Sequence, residues 1–188
     1  VYNILNFLGY NVKISNNPTD IINSTHLILP GVGAFGISMN KIMDKIPFDV
    51  LENEVINKGK PFLGICVGMQ VLADRGFEFG EHSGFGWIGG VVNKIHSEDL
   101  PSIHIGWNNI EIKKESPLLK GLDTFNDFYF VHSYVFDVEC QVSIVAQTNY
   151  GNNFPSVISK DNIYGVQFHP EKSQKVGQLI LKNFMNIL

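Results

Sequence analysis

The sequence has few cysteines, no long apolar run and no concentration of basic charge. Its two cysteines, Cys66 and Cys140, stand far apart and fit no CxxC pattern. That spacing excludes a disulfide framework, argues against a zinc site and suits a reducing cytosol. Every apolar stretch is broken by Gly, Pro or charge, so none approaches the ~20 residues of a membrane-spanning helix. The first residues lack the basic-then-apolar order of a secretory signal, and a cytoplasmic location is the expectation. With a formal net charge of -4 and no Lys/Arg run, a nucleic-acid partner is disfavoured.

What remains is an apolar fraction of 44% in 188 residues, a size at which one domain with a sizeable core is the default. The first part alternates between helical and strand patterns. Val1, Ile4, Leu5 and Leu8 have helical spacing, with Gly9 as a stop. Val12 to Ser15 reads as a short strand, and Ile21 and Ile22 fit a brief helix after Pro18. His26 to Leu29 is a strand, Phe48 to Lys58 a helix closed by Gly59, Phe62 to Ile65 a strand, and Val67 to Arg75 a helix ended by Gly76. This alternation implies βαβ units and a parallel sheet. Strand patterns then follow at 91–95, 103–112, 128–131, 142–146, 157–159 and 163–168. Asn108-Asn109 and Asp161-Asn162 are turn signals, the second closely matching a hairpin. Val176, Leu179, Ile180 and Ile187 mark a closing amphipathic helix. The fold class is therefore α/β: an open, mostly parallel sheet with flanking helices and an antiparallel portion.

The chemistry concentrates in two places. In Gly64-Ile-Cys-Val-Gly68 a thiol lies between glycines, after an apolar run and before a helical one. This is the pattern of a nucleophile on a sharp strand-to-helix turn, where close backbone approach requires glycine. In Gly165-Val-Gln-Phe-His-Pro-Glu171 a His ends a strand and a carboxylate follows. That imidazole can take the thiol proton, and Glu171 can orient it. Cys140, inside a strand-like run, reads as an inert small hydrophobe. Pro30-Gly-Val-Gly-Ala-Phe-Gly36 lacks the ending of a P-loop and the spacing of a dinucleotide fingerprint. It can instead aim backbone N–H groups at a tetrahedral oxyanion, or be a tight turn. Phe128 and Phe130 read as core. His132, Ser133 and Tyr134 form a polar cluster at that strand's end, suited to a small polar molecule.

Together these residues resemble the class I (triad) glutamine amidotransferases, and within them the glutaminase subunits of imidazole glycerol phosphate synthase. Gly64-Ile-Cys-Val-Gly-Met-Gln70 and His169-Pro-Glu171 match the class. Pro30 to Gly36, His104-Ile-Gly-Trp-Asn108 and Phe130-Val-His-Ser-Tyr134 match the subunits more narrowly. The resemblance implies a flavodoxin-like amidotransferase fold with Cys66, His169 and Glu171 as the triad. It implies oxyanion donors at Val32, Gly33 and Val67, and glutamine held by Gly31, Gln70, His132, Ser133 and Tyr134. No metal or organic cofactor is implied. The implied reaction is hydrolysis of L-glutamine through a γ-glutamyl thioester. Ammonia would pass by channel to a (β/α)8-barrel synthase partner that makes imidazole glycerol phosphate and AICAR in histidine biosynthesis.

Two departures qualify the resemblance. Family members begin with a strand and turn ahead of the helix in which Val1 lies, so residues 1–188 read as a single amidotransferase domain without its first strand. Loss of an interior strand would leave two unpaired edges, and poor solubility is the expectation. Trp87, in Gly84-Phe-Gly-Trp-Ile88, is unlike the histidine-pathway enzymes and resembles a paralogous group that supplies ammonia for surface-polysaccharide sugar amidination. The alternatives of other kinds are a stand-alone cysteine hydrolase and a non-catalytic binding subunit.

Overall fold

The structure is a computed structural model that describes residues 1–97, 100–123 and 126–188. Its main sheet contains β1 (Leu27–Gly31), β2 (Phe62–Cys66), β7 (Glu111–Ile112), β10 (Ile144–Tyr150), β11 (Asn152–Lys160) and β12 (Ile163–Val166). The spatial order is β1-β2-β12-β11-β10-β7. β1, β2 and β12 run parallel, and β12 to β7 continue antiparallel. A second sheet joins β3 (Arg75–Gly76), β4 (His82–Ser83), β5 (Gly90–Lys94) and β9 (Tyr134–Val138). β6 (His104–Asn109) and β8 (Asp127–His132) form a ribbon. The helices are α1 (Tyr2–Phe7), α2 (Pro18–Asn23), α3 (Phe35–Lys45), α4 (Phe48–Glu52), α5 (Val67–Gln70) and α6 (Gln174–Phe184). Among the described residues no helix is long and apolar enough to cross a membrane.

β2 and β12 are buried along their whole length. Such strands need apolar side chains on both faces, which is why they read as continuous apolar runs rather than alternating ones. The α/β class, the mixed sheet and the Asp161-Asn162 hairpin agree with the sequence. Asp161 takes φ 52°, and Lys160 pairs with Ile163 across the two-residue turn. Phe128 and Phe130 are core, with Phe128 stacked on Phe168 at 4.0 Å.

Several expectations differ. Val12–Ser15 joins no ladder. β1 is the edge of the sheet, and a strand exists only where a neighbour completes its hydrogen bonds. α3 follows the Gly-rich loop although its apolar positions Phe35, Met39 and Ile42 are interrupted by polar residues. The helix after Cys66 stops at Gln70 rather than Arg75. Asn108 and Asn109 pair with Phe128 and Asp127 inside β6 rather than turning. Cys140 is exposed at the start of a 3-10 turn rather than buried in a strand.

Trp87 is 4% exposed and packs among Phe48, Phe62 and Phe85, with ring centroids 6.1, 5.2 and 4.8 Å away. Its indole N–H donates to Glu52 Oε1 at 3.3 Å. It therefore joins α4 to the back of β2. Trp87→Ala should cost about 3–5 kcal/mol, the usual range for emptying a buried aromatic site. Denaturant unfolding checks this, and a loss below about 1 kcal/mol would show that the cluster does not tie α4 down.

Candidate active site

Cys66 ends β2 with φ 55° and ψ -112°, a conformation that L side chains rarely adopt. Its surroundings leave no alternative. A Cβ on Gly68 would lie 1.8 Å from the Leu29 carbonyl oxygen, and one on Gly64 would lie 2.3 Å from that of Gly68. The two glycines let β1, β2 and the start of α5 approach backbone to backbone, and the chain must reverse sharply at the residue between them. Cys66 is presented there, 4% exposed. Its sulfur sits at the carboxyl ends of the parallel strands, where open α/β sheets gather ligands.

Sheet order supplies the neighbours. β2 lies between β1 and β12, and Gly31 is in register with Cys66. The loop that leaves β1 therefore begins beside the thiol. A Cβ on Gly31 would come 3.0 Å from the Gly68 nitrogen. Gly33 has φ 102° with open space around it, and Val32 is 75% exposed. The loop's far end is fixed, since Glu78 Oε2 accepts from the Phe35 N–H at 2.8 Å at the start of α3. Val67 opens α5 and is buried.

On the other side, the segment leaving β12 carries His169, which is 1% exposed. Its backbone N–H donates to the Tyr129 carbonyl at 2.8 Å, and the Ser173 hydroxyl donates to its carbonyl at 2.6 Å. Gly177 lets α6 close on this turn, where a Cβ would lie 1.9 Å from the Pro170 oxygen. The ring Nδ1 is 2.7 Å from Glu171 Oε1. The opposite nitrogen, Nε2, is buried without a hydrogen-bond partner, and Cys66 lies close enough to influence the ring. Burial alone would lower the His169 pKa. The nearby Cys66 sulfur, then the Glu171 carboxylate bonded to Nδ1, outweigh it, and the net is a rise to about 9. For Glu171, burial pushes the carboxyl up, while the His169 ring and the residue's own N–H hold it below the usual carboxylate range.

Of the remaining predicted residues, Gln70, His132 and Tyr134 lie along one hydrogen-bonded path, and Ser133 lies beside it. Gln70, 2% exposed, donates through Nε2 to the Tyr134 carbonyl at 2.9 Å and to Gln167 Oε1 at 3.1 Å. Gln167 Nε2 then lies 3.8 Å from Cys66 Sγ. His132 Nδ1 also meets the Tyr134 carbonyl, at 3.0 Å, and its Nε2 is 3.0 Å from His104 Nδ1. Asn108 Nδ2 reaches His104 Nε2 at 3.2 Å. His132 thus has no ring nitrogen left for a ligand, and Gln70 keeps only its amide oxygen free. Ser133 forms the bend between β8 and β9, and its carbonyl accepts from the Ile95 N–H. Sequence reading missed Gln167 and the His104–His132 pair. Two-residue alternation from Gly165 through Gln167 to His169 is the signal that would have placed Gln167 on the face of the histidine.

A groove of about 560 Å³ lined by Lys94, His96, Tyr134, Asp137, Tyr150 and Phe154, among others, reaches Tyr134 but includes none of Cys66, His169 and Glu171. Among the described residues no three His, Cys, Asp or Glu side chains gather closely enough to hold a metal ion.

The family "Glutamine amidotransferase class-I" matches residues 1–188. The chain is 44% identical over 183 residues to the imidazole glycerol phosphate synthase subunit HisH of Zymomonas mobilis, covering 94% of this chain and 83% of that one. It is 43% identical over 188 residues to the HisH protein of the same name from Streptococcus mutans, covering 100% and 92%. Among solved structures, one titled as a glutamine amidotransferase superposes with a TM-score of 0.72 at 19% identity, covering 97% and 91%. A glutamine amidotransferase of Thermotoga maritima gives 0.67 at 17%, covering 98% and 75%. At those identities the two structures speak for the fold.

The histidines divide by environment, and the division sets a pH window. Burial lowers the pKa of His104 to about 4. Burial, and then the charges of His104 and His169, take His132 to about 3 against the opposing hydrogen bond to Tyr134. Their stabilising effect is complete above the ordinary value of 6.5 and is lost as pH falls through about 4 and 3. Glu171 acts in the same acid direction. The contribution of His169 is complete below 6.5 and is lost as pH rises through about 9. The thermal midpoint should therefore decline on both sides of near-neutral pH. His169→Asn should flatten the alkaline side while also changing the acid side to the extent that Glu171 and His132 owe their shifts to His169. An alkaline limb unchanged by His169→Asn would contradict the raised pKa.

Proposed function

This chain is an enzyme of the class-I glutamine amidotransferase family, and from that premise we propose that it is a glutaminase whose catalytic residues are Cys66, His169 and Glu171. The observation that carries the reading is geometric. Cys66 stands on a turn forced by Gly64 and Gly68 and faces an imidazole whose other nitrogen is 2.7 Å from Glu171.

The steps follow from these positions. Glu171 fixes the tautomer by accepting from Nδ1–H, which leaves Nε2 to take the thiol proton. The sulfur attacks the side-chain amide carbon of L-glutamine. Negative charge develops on the amide oxygen, and N–H groups at Val32, Gly33 and Val67 are the donors for it. His169 then gives its proton to the departing nitrogen, and ammonia leaves a γ-glutamyl thioester on Cys66. Water, deprotonated at Nε2, attacks the thioester carbon. The thiol is restored and glutamate is released. Gly31, Gln70, Ser133 and Tyr134 hold the substrate. The free Oε1 of Gln70 suits a donor such as the substrate ammonium. His132 acts through the Tyr134 carbonyl.

The ammonia goes to a synthase subunit with a (β/α)8 barrel, through a channel, in histidine biosynthesis within the cytoplasm. Support comes from relatives of that name aligned over nearly the whole of this chain. Trp87 lies in the core, so its side chain does not itself meet an acceptor or partner. Residues 1–188 act as one amidotransferase domain; the open edge of β1 is where a further strand would pair.

Cys66→Ala should abolish glutamine hydrolysis, while added ammonia still supports synthesis by the barrel partner. Glutamate release measured with and without the partner, and synthesis with ammonia, are the readouts. Glutaminase activity surviving in Cys66→Ala would remove the assignment. Wild-type turnover that is equal with and without partner would favour a stand-alone hydrolase. Glu171→Gln should lower kcat by roughly a hundredfold or more with a smaller change in KM, because Glu171 steadies imidazolium in the transition state. Unchanged kcat would make Glu171 a bystander.

A further inference from the structure

We propose that Gln167 is a positioning residue for Cys66, whose side-chain N–H holds the sulfur through a hydrogen bond independent of His169 and favours its anionic form. The inference rests on the reading of Cys66 as the nucleophile. Gln167 is fully buried. Its backbone is fixed by the N–H bond to the Ser156 carbonyl at 2.9 Å. A polar side chain is costly in such a place unless its hydrogen bonds are made, and an apolar side chain of like volume would fill the space without that demand.

The orientation of the Gln167 amide follows from its neighbours. The Tyr134 carbonyl can only accept, so the Gln70 atom 2.9 Å away is its Nε2. The same nitrogen contacts Gln167, so the Gln167 atom at 3.1 Å is Oε1. The remaining atom, Nε2, therefore points its N–H at Cys66 Sγ, 3.8 Å away. His132 and His104 hold the Tyr134 carbonyl from the other side by the same logic. His132 Nδ1–H donates to it, so His132 Nε2 accepts from His104 Nδ1–H, and His104 Nε2 accepts from Asn108. Both histidines are neutral in this arrangement, as their burial requires. The sulfur thus receives a donor from Gln167 while its own proton is directed to His169. A hydrogen bond to the charged form of a group stabilises that form.

The test uses the chain with Cys140→Ser, so that Cys66 is its sole thiol. The rate of alkylation by iodoacetamide is followed across pH by intact mass. Gln167→Met keeps the volume and removes the donor. The pH of half-maximal alkylation should rise by about one unit, with little change in thermal midpoint. Gln167→Glu keeps the shape and turns oxygen toward the sulfur, and should shift the curve at least as far. With the barrel partner and glutamine, kcat should fall while KM stays near the parent value. Curves identical in the parent and both variants would overturn the proposal, as would changes that only follow loss of the folded fraction. Alkylation requires neither glutamine nor partner. An unchanged curve therefore removes only the role of Gln167, whereas a glutaminase-active Cys66→Ala removes the functional reading.

Discussion

Everything at the site depends on a close approach of three backbones. Leu29 in β1, Gly64 in β2 and Gly68 in α5 meet where no Cβ can stand. That contact fixes the angle between β2 and α5, and it holds Cys66 at a positive φ costing about 1–3 kcal/mol that a free chain would relax. The strain persists because both flanks are buried and already paired. Position then follows from topology. With β2 between β1 and β12, the residues that leave the two outer strands flank the sulfur, and the catalytic constellation assembles from segments about 100 residues apart in sequence.

The polar groups around that turn are ordered by elimination rather than by charge. A backbone carbonyl is the one fixed reference, since it can only accept. From Tyr134 the orientation of Gln70, Gln167, His132, His104 and Asn108 can be worked out step by step. The same residue type ends in opposite states nearby. His104 and His132 are buried beside neutral partners and stay neutral. His169, equally buried, has a carboxylate at Nδ1 and Cys66 nearby, and its pKa is raised to about 9. Environment assigns the acid–base role, as it does wherever titratable groups are driven apart.

How much of this was legible depended on whether the cause was local. The turn at Cys66 could be read because close approach leaves a spacing of glycines in the sequence. The His169–Glu171 pair could be read because two residues separate them. β2 and β12 betrayed their burial by continuous apolar runs. By contrast, Val12–Ser15 has strand-like residues but no neighbour. α3 has the right period but weak contrast, with Asn40, Lys41 and Asp44 between its apolar positions. Ser133 breaks one apparent strand into β8 and β9. Gln167 was present in the motif, yet its meaning rests on Gln70 and Tyr134, which lie far from it in sequence. Trp87 stands out in the sequence as a departure from the family pattern, and its packing role is visible only from its neighbours Phe48, Phe62 and Phe85.

These constraints also locate the freedom that the site retains. The loop after β1 is pinned at Gly31 by the ladder to Cys66 and at Phe35 by the carboxylate of Glu78. Only Val32, Gly33 and Ala34 lie between. Gly33 can exchange positive for negative φ at little cost, and nothing stands within 4 Å of where its Cβ would be. A peptide flip there would re-aim a backbone N–H while leaving both anchors in place. Val32, 75% exposed, would move with it. Any surface that covers Val32 would therefore bias the loop after β1, by no more than its difference in affinity for the two loop states. Cys66 and His169 have no such freedom, because both are buried and their backbones are fixed by close contacts and hydrogen bonds. Rigidity at Cys66 and freedom confined to three residues of the loop after β1 are thus two results of the same packing.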